Sequence, residues 1–304
     1  MANSWHTWLT SIVMTLTLLK VFKYLFFRKN KSYFKEKVVV ITGASSGIGE
    51  SLAHEFYKLG CKIVLCARRR DELERVRNDL LQKHPPLTVL PIIMIMDLTN
   101  IGSLEDVVEQ IIDITGHIDI LINNGGISSR GAVMDTSNDV FMNIMMVNYF
   151  GTVSLTKAVL PHMVNRKQGH VVFMSSVQGL IAIPNRAAYA ASKHALQAFG
   201  DSLRAEISQH NIRVSVVSPG YVNTPLPLNA LSGSGFKHGK LDAETLRGYS
   251  PDYIAQKTAV VILREKNEVV LAPFLHRLVI LIRCNFPSLY FLIMKNRANN
   301  FKNS

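Results

Sequence analysis

"KVVVITGASSGIGESLAHEFYKLG", residues 37–60, decides the fold. Lys37 to Thr42 is β-branched and apolar with no polar alternation, the pattern of a strand buried on both faces. From Gly47 the apolar residues recur at helical spacing until Gly60 supplies a stop. Between strand and helix stand Gly43, Gly47 and Gly49. They permit a tight turn and close backbone approach, and the helix N-terminus beyond them offers unpaired N–H groups and a positive dipole end to a phosphate. The spacing is G-x-x-x-G-x-G rather than G-x-G-x-x-G, but it lies where a dinucleotide-binding fold requires it.

Outward from this unit the pattern repeats. "KIVLCA" (62–67) reads as a second buried strand, and "RRRDELERVRNDLLQK" (68–83) as a charged helix. "TVLPIIMIMD" (88–97) supplies a third strand whose pairing starts at Ile92, because Pro91 lacks an N–H. A helix over "SLEDVVEQIIDIT" (103–115) leads to a fourth strand in "IDILINN" (118–124), and "HVVFMSS" (170–176) and "RVSVVSPG" (213–220) follow. About seven strands alternate with helices, which predicts an α/β, Rossmann-like, doubly wound parallel sheet with helices on both faces. No internal repeat or linker interrupts residues 37–272, so they read as a single domain between an N-terminal segment, 1–36, and a C-terminal segment, 273–304.

Composition bounds the function. Of 304 residues, 48% are hydrophobic and 18% charged, which excludes a disordered chain. The three cysteines have no disulfide-framework or metal-site spacing. The net charge of +12 is uneven: residues 1–37 carry +6, residues 264–304 carry +5, and the 226 residues between carry +1. A nucleic-acid binder would spread its basic stripe over the folded domain, so that class is excluded, and basic charge in apolar ends points to a membrane surface.

Trp5 to Phe27 is apolar except for Lys20 and Lys23 and long enough to span ~30 Å of hydrocarbon if those lysines snorkel. No small-residue cleavage site follows; the basic "RKNKSYFKEK" does, so a single uncleaved signal-anchor is expected, with an interfacial amphipathic helix as the competing reading. The basic flank would keep the domain on the cytosolic side, and the single sequon, Asn30-Lys31-Ser32, lies beside the anchor. The C-terminal "FLHRLVILIRCNFPSLYFLIMKNR" (274–297) has apolar runs too short to span, broken by His276, Arg277, Arg283 and Pro287. It is expected to lie on a membrane surface or to cover the core.

Two local features bear on chemistry. An NAD-binding fold places a carboxylate at the end of strand two, whereas this strand ends "CARRR" (66–70). Arg68 and Arg69 can grip a 2′-phosphate, favouring NADP(H) with NAD(H) possible, unless they are a solvated helix start partnered by Asp71 and Glu72. In "RAAYAASKHA" (186–195), Tyr189 and Lys193 share a helix face, but Tyr33/Lys37 and Tyr253/Lys257 have the same spacing. Only Tyr189 follows a strand that bears a serine, Ser176.

Together, Gly43/Gly47/Gly49, Asn123-Asn124-Gly125-Gly126, Asn148, Ser176, Tyr189, Lys193 and Pro219-Gly220 resemble the short-chain dehydrogenase/reductase superfamily over residues 37 to about 262. "GISSRGAVMDT", "VNYFGTVSLTKAVLP", "AAYAASKHALQAF" and "SPGYVNT" are similar to its membrane-anchored dehydrogenase/reductase member 7 group, nearest the 7B branch. One departure is Gly125, where the family pattern has Ala. The resemblance implies that Tyr189 exchanges a proton with the substrate oxygen, that Ser176 holds that oxygen, and that Asn148 and Lys193 complete a proton relay, Lys193 also bonding the nicotinamide ribose. A free phenol titrates near ~10; an ammonium ~4 Å away at an effective dielectric of ~20 would favour its anion by about 4 kcal/mol, roughly three pKa units.

The resemblance further implies that Ser45, Ser46 and Ile48 belong to the phosphate turn, that Asp97 meets the adenine, and that Asn124 lies near the adenosine ribose. Val222 and Thr224, after Pro219-Gly220, are expected over the nicotinamide carboxamide. Asp97 serves equally well as a helix N-terminal cap before "LTNIGSLED" (98–106). Residues 225–250, Gly/Ser-rich with apolar anchors, read as a mobile substrate lid, and Lys237, His238 and Lys240 as its solvated tip. The expected activity is reduction of a lipophilic ketone or aldehyde at a membrane, of the endoplasmic reticulum or the peroxisome. A homodimer through helices near 150–165 and 187–209 is plausible. The alternatives are an NAD-dependent alcohol dehydrogenase and a non-catalytic nucleotide-binding scaffold.

Overall fold

The computed structural model of the chain describes residues 8, 14, 15, 31–84, 89–240 and 242–302. Its central sheet comprises β1 (Val38–Thr42), β2 (Lys62–Ala67), β3 (Ile92–Ile95), β4 (Ile120–Asn123), β5 (Gly169–Met174), β6 (Ile212–Pro219) and β7 (Glu268–Leu271), all parallel. The spatial order is β3-β2-β1-β4-β5-β6-β7. The principal helices are α1 (Gly47–Lys58), α2 (Arg70–Lys83), α3 (Leu104–Thr115), α4 (Asn138–Met145), α5 (Gly151–Arg166), α6 (Ala187–Glu206), α7 (Pro251–Leu263), α8 (Phe274–Asn285) and α9 (Pro287–Lys302).

Successive side chains of a strand face opposite sides, so β1 feeds two cores. Val39 and Ile41 pack with Leu52, Phe56, Leu73 and Ile254 on the side of α1, α2 and α7. Val38 and Val40 pack with Val108, Leu155 and Leu196 on the side of α3, α5 and α6. A strand covered on both faces cannot alternate with polar residues, which is why "KVVVIT" reads as continuous apolar sequence. β3 starts at Ile92, immediately after Pro91, as that proline requires.

Strand order reverses between β1 and β4, and the chain leaves these two strands in opposite directions. A crevice results at their C-terminal ends. The glycine turn lies on one side of it and Asn123-Asn124-Gly125-Gly126 on the other. Thr42 Oγ1 joins them, accepting from the N–H groups of Asn124 (3.0 Å) and Gly125 (2.8 Å), while Asn124 Nδ2 donates to Thr42 O (2.9 Å). Leu98 Cδ1 sits 2.9 Å from where a Cβ on Gly125 would be, so a flexible leucine end fills the space of the family's usual alanine methyl.

The expected anchor lies almost wholly outside the described residues. Among the described residues no helix is long and apolar enough to cross a membrane. Cys61 and Cys66 are buried, with Cys61 Sγ donating to Phe34 O (3.2 Å), and Cys284 is exposed; none of the three forms a disulfide among the described residues.

Gly43 adopts φ +64°, and a Cβ on Gly49 would lie 2.1 Å from Gly43 O, a backbone atom that cannot step aside. Gly49→Ala is therefore expected to cost about 2–3 kcal/mol and to abolish dinucleotide binding. Gly102→Ala, whose Cβ meets nothing within 4 Å, serves as the neutral control in thermal unfolding and nucleotide titration.

Candidate active site

Three elements converge at the C-terminal edge of the sheet. Ser176 follows β5, Tyr189 and Lys193 lie in the first two turns of α6, and Asn148 lies in a π-helical stretch, Met146–Phe150, between α4 and α5. All four are buried. Alanines surround Tyr189 on α6, so the helix approaches β6 and the turn Val177–Gly179 closely.

Ser176 lies near enough to Tyr189 to pull the phenol's pKa down, and its Oγ donates to Pro219 O (3.5 Å). Ser176 Oγ also accepts from Gln178 N (3.1 Å), which orients the hydroxyl. Lys193 Nζ donates to Met174 O (2.9 Å) and stands 5.8 Å from the centroid of the Tyr189 ring. Asn148 is held at both ends of its amide, its Oδ1 accepting from Ile127 N (2.8 Å) and its Nδ2 donating to Ile127 O (2.9 Å) and Ser192 Oγ (3.0 Å). Gly126 lies between Asn148 and Lys193: a Cβ there would be 3.0 Å from Asn148 Oδ1 and 3.7 Å from Lys193 Nζ.

The electrostatics differ from the sequence expectation. Burial pushes the Tyr189 phenol up, against the opposing pull of Ser176 and then of the Arg186 guanidinium; Lys193 is not among the groups that move it. Burial in turn pushes the Lys193 ammonium down to about 8. Desolvation is the largest influence on both groups, whereas the sequence expectation rested on the nearby ammonium. The pairs Tyr33/Lys37 and Tyr253/Lys257 place Nζ 5.5 and 5.2 Å from the ring centroid, closer than in the site. What separates Tyr189 from them is its serine partner and the crevice, not its lysine.

The cofactor-side residues assemble around the turn. Ser46 occupies the N-cap of α1 without its hydroxyl capping the helix, and Gly47 and Ile48 open the first turn. Thr224 Cγ2 comes within 3.1 Å of where a Cβ on Gly47 would be, so the chain after Pro219-Gly220 folds back over the glycine turn. Val222 pairs with Tyr249, and Gly220 N donates to Leu271 O (2.9 Å), which fix that segment. Asp97 accepts from both the N–H and the hydroxyl of Thr99 (2.9 Å each), closing a local turn; it does not cap a helix, since the N-caps that follow are Asn100 and Ser103.

An open cleft of about 430 Å³ outside the turn is lined by Ser46, Gly47, Glu50, Arg69, Arg75 and Pro225, among others. Arg68 and Arg69 are both exposed; Arg69 lines the cleft, and its Nη2 reaches Ser45 Oγ (3.3 Å). Their anticipated local partner Glu72 is taken by Arg75 (2.8 Å), which also pairs with Glu50 (2.8 Å). The glycine cradle, the free N-terminus of α1 and two exposed guanidiniums fit a nicotinamide dinucleotide with its phosphates at the turn.

The sequence pattern of the family described as short chain dehydrogenase matches residues 37–232. The chain belongs to the short-chain dehydrogenase family. It is similar to a "Dehydrogenase/reductase SDR family protein 7-like" of Anopheles gambiae, 50% identical over all of this chain and 98% of the relative. It is also similar to "Dehydrogenase/reductase SDR family member 7B" of Bos taurus, 45% identical over 94% of this chain and 89% of the relative. Among solved structures, an alcohol dehydrogenase from the archaeon Thermococcus sibiricus complexed with 5-hydroxy-NADP superposes with a TM-score of 0.67 at 26% identity, covering 78% of this chain and 96% of the other. As a short-chain dehydrogenase, the protein is an NAD(P)-dependent oxidoreductase acting between alcohols and carbonyl compounds.

Residues that the sequence did not single out complete this dehydrogenase site. Asp242 Oδ2 accepts from Arg130 Nη2 (2.8 Å) and Arg186 Nη2 (3.1 Å), drawing together three distant segments. The segment expected as a loose lid is accordingly pinned: Leu231–Ser232 pairs with Ser129–Arg130, and Ser137 N donates to Gly233 O (2.9 Å). Lys237 and Lys240 are exposed, as read from the sequence. The position of Arg186 three residues before Tyr189 was the only hint of this cluster.

The lowered Lys193 pKa has a measurable consequence. Between pH ~8 and pH ~10.5 the unfolded chain binds more protons at this lysine than the native one, so stability rises with pH across that window. Lys193→Met removes a desolvation cost of roughly 3 kcal/mol that is present below pH ~8. Its stability advantage over the wild type should therefore be largest at neutral pH and vanish by pH ~10.5, as read by denaturant titration.

Proposed function

We propose that the chain is a membrane-associated, NADPH-dependent reductase of a lipophilic ketone or aldehyde. The joint burial of Ser176, Tyr189 and Lys193 beside the glycine crevice carries the reading. A bound nicotinamide supplies the hydride. Tyr189 donates its phenolic proton to the carbonyl oxygen, and Ser176 Oγ holds that oxygen in line. Lys193 and Asn148, adjacent across Gly126, form the route by which the phenol is reprotonated. The reverse direction, oxidation of an alcohol, uses the same groups with Tyr189 as base.

Support for NADP(H) over NAD(H) comes from Arg68 and Arg69, which are exposed at the turn while Glu72 pairs elsewhere. Ser45, Ser46 and Ile48 would hold the phosphates, Asp97 and Asn124 the adenosine half, and Val222 and Thr224 the carboxamide. The membrane reading is supported by the apolar, basic ends of the chain, with the endoplasmic reticulum or peroxisome as host and the domain on the cytosolic side. Steroids, retinoids and acyl- or alkyl-dihydroxyacetone phosphate are the substrates to test. A homodimer would pair through α5 and α6.

NADPH oxidation by the full chain, followed at the nicotinamide absorbance against these carbonyls, tests the reading. Tyr189→Phe should lower kcat by roughly 10²–10⁴ with NADPH binding intact. Undiminished turnover in that variant would rule out the proton-transfer role. Separately, the double variant Arg68→Ala/Arg69→Ala should raise the KM for NADPH at least about tenfold and leave that for NADH unchanged, since each charge-assisted hydrogen bond is worth about 1.5–3 kcal/mol. An NADPH KM unmoved by the double variant would favour the NAD-dependent alcohol dehydrogenase.

A further inference from the structure

α8 and α9 are built unlike the other helices. They pack chiefly on one another, and Tyr290 is the only buried residue among the described positions 274–299. Phe274, Leu275, Leu281, Phe286, Phe291 and Leu292 are all exposed, Phe274 at 79%. Six large apolar side chains held in water on two adjacent helices mark a surface that meets something else.

Charge indicates what that is. From Pro273 to Ser304 the chain has five basic residues, Arg277, Arg283, Lys295, Arg297 and Lys302, and no Asp or Glu. Arg283 lies over the rings of Tyr290 and Phe291, 5.5 and 5.2 Å from their centroids, so cation and apolar surface are contiguous. An apolar face edged by cations and lacking carboxylates complements a bilayer with anionic head groups. A second copy of the same face would set cations against cations, which disfavours self-association. The helices have 12 and 16 residues, about 18 and 24 Å, too short to cross ~30 Å of hydrocarbon.

We propose that the α8–α9 hairpin is a second membrane contact, lying in the interface of an anionic bilayer and tying that surface to the rim of the active site. The ties are on its inner side. The Tyr290 hydroxyl bonds the backbone of Ala182, accepting from its N–H at 3.1 Å and donating to its carbonyl, six residues beyond Ser176. Arg297 pairs with Glu244 (3.1 Å) and reaches the Tyr221 hydroxyl (3.4 Å), both in the segment after Gly220. This deepens the membrane part of the proposed function and does not depend on its catalytic part.

The test uses the full chain in phosphatidylcholine vesicles with and without phosphatidylserine, with brominated acyl chains as quenchers. The native tryptophans, Trp5 and Trp8, report on the N-terminal segment. In a Trp5→Phe/Trp8→Phe background, Leu292→Trp reports on the hairpin and Ile114→Trp, exposed on α3, on a remote face. Emission from the position-292 reporter should be quenched severalfold more strongly with phosphatidylserine present, with position 114 unquenched. An unquenched position 292 overturns the proposal, whether or not Trp5 and Trp8 are quenched. So does a 292 signal that depends on protein concentration but not on lipid, which would make the face a self-contact. Because quenching is read without turnover, failure here is distinguishable from failure of the catalytic reading.

Discussion

The approach of the β1–α1 turn to the backbone that follows β4 is the contact on which the rest of the site depends. Gly49 leaves Gly43 O room that a methyl group would fill, and Thr42 Oγ1 holds the N–H groups of Asn124 and Gly125 against the end of β1. This contact closes the floor of the crevice at the topological switch point. With the floor fixed, the N-terminus of α1 points outward toward an anion, and Gly126 is set between Asn148 and Lys193. The opposite edge of the sheet is closed by Asp119, which accepts from Val38 N (3.0 Å) and pairs with Lys37 (3.2 Å). Burial alone would raise that carboxyl; the Val38 N–H and Lys37 hold it below the usual carboxylate range. One edge of the sheet is thus closed for stability and the other left open for chemistry.

Desolvation governs the catalytic pair. A phenol and an ammonium on one helix face would, in a uniform medium, stabilise each other's charged forms. In the folded protein both lose hydration, the phenol rises and the ammonium falls to about 8. The protein therefore keeps Tyr189 protonated at neutral pH, the state a reductase needs in a proton donor. Ser176 and Arg186 pull in the other direction, lowering the cost of the anion that proton transfer leaves behind.

Arg130, Arg186 and Asp242 connect that electrostatic balance to the substrate side. The Asp242 carboxylate lies between two guanidiniums, one from the strand after β4 and one from the start of α6. Asp242 is thereby fastened to the start of α6, three residues before Tyr189. Glu244, just beyond, extends the same chain of ion pairs to Arg297 on α9. Ion pairs at Asp242 and Glu244 thus join the start of α6 and α9 to the same short stretch of chain.

Much of this was legible in the sequence because it is local. Strand and helix periodicity, the Pro91 stop, the glycine turn and the missing carboxylate after β2 are each written in a few adjacent residues, whose conformational limits hold wherever the chain folds. The site was legible only through the order of its motifs. Tyrosine–lysine spacing occurs three times with nearly the same geometry, and only the fold gives one pair a serine and a crevice. Gly125 is understood only with Leu98 beside it, Asp97 only with Thr99 bound to it, and Asp242 only with two arginines 56 and 112 residues away in the chain. The sequence by itself determined the parallel α/β sheet and the glycine turn that joins its first strand to α1. Tertiary structure alone decided which of the three tyrosine–lysine pairs is buried, what the Tyr189 proton costs to move, and how Asp242 is held, because desolvation and long-range ion pairing depend on neighbours that the chain supplies only once it is folded.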